Sequence, residues 1–104
     1  MAKITSFGKA DAIYSGEVMI PLVVLQKSEN SFAGFIPGFV MKNIVESTAE
    51  ECIAKLKTYL TQKLKTIKEN GDTFPFFPNR QEIMKDFENV YKIEFIKVVS
   101  SKNA

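Results

Sequence analysis

The chain contains no histidine and no tryptophan, a single cysteine, Cys52, and only three aspartates, Asp11, Asp72 and Asp86. Without histidine, Ser-His-Asp and Cys-His triads, a histidine general base and most catalytic zinc sites are excluded. The aspartates fall in the N-terminal stretch and in connectors. The converging strand-end carboxylates that two-metal nuclease chemistry needs are therefore not expected, and no metal or cofactor site is proposed. Gly34 and Gly38 lack the spacing of a dinucleotide-binding loop, and no G-K-[ST] follows a strand. A lone cysteine cannot close an internal disulfide, which suits a reducing cytoplasm. Set among Ile53 and Leu56 on an apolar helical face, Cys52 is expected to pack as a small hydrophobe rather than to react.

Long hydrophobic runs and an excess of one charge are also missing. The apolar stretch Val18 to Leu25 is eight residues long and contains Pro21, and "MAKITSFGKADAIYSG" at the start has no apolar signal-peptide core. Neither a membrane span nor a secretory leader is expected. Fourteen basic against twelve acidic residues leave a formal charge of +2, too little to mark a nucleic-acid binder by itself.

What remains is an ordinary globular composition, 45% hydrophobic and 25% charged over 104 residues, which is one domain, residues 1–104, with a packed core. "PLVVLQ" from Pro21 to Gln26 is short, apolar and β-branched and predicts a central strand, with pairing starting at or after Pro21 because proline lacks a ladder donor. The polar "KSEN" leads into "SFAGFIP", a second strand of a hairpin. In "IPGF", Pro37 presets φ for the second position of a turn and Gly38 supplies the positive φ of a type II third position, so both are structural turn residues. "FVMKNIV" predicts a third strand.

From Ser47 to Asn70 the period changes. Ala49, Cys52, Ile53, Leu56, Tyr59, Leu60, Leu64 and Ile67 fall within an arc of roughly 140° on a helical wheel, the stripe of a core-facing helix. Ser47 with Glu50 and Thr48 with Glu51 form two overlapping capping boxes, and Asn70-Gly71 marks the end. Lys63 lies inside the arc and should snorkel. Asn79 and Glu82 predict the cap of a short helix in "RQEIMKDFE", and "VYKIEFIKVV" a last strand. The fold class is α+β, in the order βββα(α)β. The long helix should lie on one face of a four-stranded mixed sheet, with the last strand parallel to and beside the central first one.

Over about residues 19–99 these stretches resemble the HicB family, antitoxins of bacterial toxin–antitoxin systems. Met19-Ile20-Pro21-Leu22-Val23-Val24 is similar to the family's opening strand, and Phe32 through Phe39 to its aromatic strand ending in a Pro-Gly turn. Thr48-Ala49-Glu50-Glu51-Cys52 resembles its helix start, and Gly71 through Pro75 and Pro78 its connector. Gly34, Phe35 and Phe39 stand where the family's turn motif has Pro, Asp and Cys. The resemblance implies a degenerate, truncated ribonuclease H-like fold and a cytoplasmic, non-catalytic protein. Its role would be to bind and occlude a small, basic, mRNA-cleaving toxin of the HicA type. Many members carry a C-terminal DNA-binding segment; no separate one is expected here, so direct operator binding is not.

The residues singled out for partner contact are Phe35 and Phe39, as aromatics suited to an interface core, and Glu46, Glu50 and Glu51, as acids able to steer a basic toxin. Helix capping accounts for the acids equally well. The runner-up is an RNA-binding or degenerate nuclease-like domain, in which the phenylalanines of "TFPFFPN" would stack on bases. Unpaired strand edges, "FVMKNIV" in particular, also predict a homodimer or larger assembly.

Overall fold

A computed structural model describes residues 16–100. Asp11 and the rest of the N-terminal stretch lie outside the described residues, as do residues 101–104. The elements are β1 (Gly16–Ser28), β2 (Ser31–Phe35), β3 (Ile44–Glu46), α1 (Ala49–Asn70), α2 (Arg80–Asp86) and β4 (Val90–Ser100). They form the α+β arrangement expected, a four-stranded sheet in the order β3-β2-β1-β4 with the long helix packed on one face.

Side chains of β1 alternate between two cores. Ile20, Leu22 and Val24 face α1 and meet Cys52, Ile53, Leu56 and Leu60. Val23 and Leu25 face the other way, onto Ile83 of α2 with Phe35, Phe87, Val90, Ile93 and Phe95 around it. β1 is thus buried on both faces, as its unbroken apolar run requires.

The sheet is antiparallel throughout, not mixed: β4 pairs with β1 from Gly16↔Ser100 to Leu25↔Val90. The expected parallel pairing treats α1 as the single crossover between the two strands. Instead the chain traverses the sheet twice. α1 carries it from the end of β3 along one face, and residues 71–89 bring it back, first against the α1 core at Phe74 and Phe77 and then on the other face through α2, so β4 enters from the opposite end. Pro21 also lies inside β1 rather than at its start. Pairing with β2 begins only at Val23↔Phe35, so at Pro21 β1 is laddered on the β4 side alone and the missing N–H removes no bond to β2.

The third strand is shorter than "FVMKNIV" suggests, because residues 39–43 form a loop and only Ile44–Glu46 pairs. The loop folds back so that the Sδ of Met41 accepts the Ile36 N–H at 3.4 Å. α1 follows its sequence pattern closely: Ala49, Cys52, Ile53, Leu56, Leu60 and Ile67 are buried, and Gly71 closes it with φ 71°. One capping arrangement forms, not two. The Thr48 hydroxyl accepts the Glu51 N–H at 3.1 Å, while the Glu51 carboxylate accepts from the hydroxyls of both Ser47 and Thr48. At α2 the Asn79–Glu82 capping box is complete.

Candidate partner-binding surface

The Pro37-Gly38 turn forms as the sequence predicts, with the Phe39 N–H donating to the Ile36 carbonyl at 3.1 Å and Gly38 at φ 112°. Beyond the turn the chain delivers Phe39 onto the second half of α1. Its ring centroid lies 6.4 Å from that of Tyr59 and 5.3 Å from that of Phe77, edge-on to each. Phe74 extends the group, 6.5 Å from Phe77. Lys63 reaches over the Phe39 ring, its Nζ 5.4 Å from the centroid, so the lysine inside the apolar arc keeps its charge outward above an aromatic face.

The connector and the turn are held together at Gly38. A Cβ there would lie 2.8 Å from Phe77 Cδ1 and 2.9 Å from the Phe76 carbonyl oxygen. This contact holds the turn against the connector at Phe76 and Phe77. Val40 is fully exposed and Phe76 is 75% exposed. Phe39, Phe74 and Phe77 lie half-buried against the α1 core, and the two segments that carry them also carry the exposed Val40 and Phe76. The Phe-Pro-Phe-Phe-Pro connector therefore serves both purposes weighed from sequence, Phe74 and Phe77 packing against the α1 core and Phe76 pointing out.

The five residues singled out for partner contact do not converge. Phe39 belongs to the turn surface. Phe35 lies on the opposite face of the sheet from Phe32 and Ile36, half-buried under α2 with its ring 5.0 Å from that of Phe87. Glu46 ends β3, and Glu50 and Glu51 lie in the first turn of α1, about two turns or more along the helix from Tyr59 and Lys63. There, Glu46 forms an ion pair with Lys55, a contact that raises the lysine's pKa, Glu51 is engaged in the cap, and Glu50 is exposed.

Two further positions set how closely the start of α1 packs on the sheet. Cys52 is fully buried, its thiol donating toward the Phe32 carbonyl at 3.3 Å and the Ile44 carbonyl at 3.4 Å, and burial raises its pKa. Gly34 lets α1 approach β2 closely, because a Cβ there would stand 3.0 Å from Leu56 Cδ1 and 3.2 Å from Cys52 Cβ. Val40 and Phe76 are absent from the sequence-based choice. The missed signal is an apolar side chain in each of two Pro-containing segments, the spacing of which does not show that they meet.

Among the described residues, no group of three or more Cys, Asp or Glu side chains is placed to hold a metal ion, and no helix is long and apolar enough to cross a membrane. The chain matches no protein-family model, no curated protein and no solved structure.

Proposed function

We propose that this protein is a non-catalytic, HicB-like antitoxin module that binds and occludes a small, basic, mRNA-cleaving toxin of the HicA type. The observation that carries the reading is the turn surface. Val40 and Phe76 expose large apolar side chains on the two segments joined at Gly38, which also carry the half-buried Phe39, Phe74 and Phe77, and exposed apolar and aromatic residues are the chemistry of an interface core. It is built from two of the stretches that carry the family resemblance, the Pro-Gly turn and the Pro-aromatic connector. The element order agrees with that resemblance. Glu50, exposed at the far end of α1, is available to steer a basic partner without forming the contact itself.

RNA binding is the competing use of the same segments, since Phe76 is an exposed aromatic on the connector and Lys63 places a cation over Phe39 on the turn. One assay separates the two. The purified chain is incubated with RNA alone, and then with RNA and the product of an adjacent gene encoding a small basic protein. Under the proposal the chain leaves RNA intact, the neighbour cleaves it, and adding the chain stops cleavage. Cleavage by the chain itself, abolished by a point mutation in it, would overturn the non-catalytic reading. Failure to inhibit, together with RNA retention lost on Phe76→Asp, would replace the antitoxin reading with RNA binding.

A further inference from the structure

β4 is an edge strand of eleven residues, and no described residue pairs with its outer side. Among the described residues, its side chains are less covered than those of β1. Ile20 and Val23 of β1 are fully buried, whereas their partners Ile96 and Ile93 on β4 are only half-buried, as are Phe95 and Val98. The short β3, at the other edge, offers three residues. An open strand of this length is a template for another strand.

We infer that β4 pairs antiparallel with β4 of a second copy, about a two-fold axis through Ile93. Two-fold pairing sets each residue opposite one of the same strand face, so the surface must complement itself. With the axis at Ile93, Lys92 stands opposite Glu94 of the second copy and Glu94 opposite Lys92 of the second copy. The two isoleucines meet at the centre. An axis at Glu94 would set Lys92 against Ile96, and an axis at Phe95 would set Glu94 against Ile96 and Lys97 against Ile93. Only the first of these three registers satisfies both central charges. Lys92 is exposed; the Glu94 carboxylate gives Oε2 to Lys57 at 2.9 Å, which leaves Oε1 for a second cation. The bulge between Val24↔Lys92 and Leu25↔Val90 bends β4 at Tyr91 and limits the shared ladder to a few residues on each copy. The association is accordingly weak and salt-sensitive.

The test is sedimentation equilibrium of the full chain from about micromolar to about millimolar concentration, a range that brackets a weak interface. Wild type should approach twice the 11.7 kDa chain mass. Lys92→Glu and Glu94→Lys each turn two attractive cross-strand pairs into repulsive ones and should weaken self-association by about tenfold or more. An equimolar mixture of the two variants restores opposite charges at both pairs and should recover association. A chain that stays monomeric throughout, a dimer indifferent to both reversals, or a mixture that fails to recover would each overturn the inference.

Discussion

Gly38 is the residue on which the turn surface depends, for two separate reasons. Its φ of 112° lies where side chains with a Cβ are strained, and the space a Cβ would fill is already taken by Phe77 and the Phe76 carbonyl. Gly38→Ala should therefore cost more than about 1 kcal/mol, the usual penalty at positive φ, because the connector must also move. Urea denaturation of the variant measures it, and an unchanged midpoint would show that the contact is not tight. Cys52 makes a different kind of contribution. Burial raises its pKa above the ordinary 9.0, so the neutral thiol is favoured in the fold. The stabilisation is complete below the unfolded-state value and is lost as pH rises through it toward the folded-state value. Between about pH 7 and about pH 10, wild type should lose more stability than Cys52→Ala, since only wild type has a thiol that ionises more readily when unfolded. Equal losses would mean that the thiol is not shielded.

At the scale of elements, what the sequence makes legible depends on whether a local pattern decides the structure. α1 is legible because a repeating apolar stripe, a hydroxyl cap and Asn70-Gly71 all act within a few residues of one another, and Thr48 and Gly71 are the caps found. The Ile36–Phe39 turn and the Asn79–Glu82 box are local in the same sense. The direction of β4 is not local. It depends on α2 packing Ile83 against Val23 on the face away from α1, which makes the segment after α1 a second traverse instead of a simple return. Likewise, the apolar residues of "FVMKNIV" suggest a strand, but the loop containing Val40 leaves the sheet, and Met41 satisfies the Ile36 N–H in place of a neighbouring strand. The candidate site was half legible for the same reason. Phe39 could be chosen from the turn next to it, while Phe76, thirty-seven positions later, joins it only through the tertiary contact at Gly38.

For the whole molecule, the two cores divide the work. The α1 face holds Gly34 of β2 against Cys52 and Leu56 of the helix, and the α2 face sets the direction in which β4 runs. The proposed toxin surface and the proposed β4 pairing use different parts of the molecule, the Pro-Gly turn with its connector for one and the outer sheet edge for the other. A bound partner and a second copy can then be carried together. The most direct test of the central claim, that the turn surface binds a toxin, is isothermal titration calorimetry of the chain against any small basic protein that an adjacent gene encodes, comparing wild type with Phe76→Asp. Phe76 is 75% exposed, so the substitution should leave the thermal melt essentially unchanged. The account predicts saturable binding by wild type and a loss of about tenfold or more in affinity for the variant, the effect of placing a charge in an apolar interface core. No binding by wild type, or equal affinity for the two chains, would contradict it.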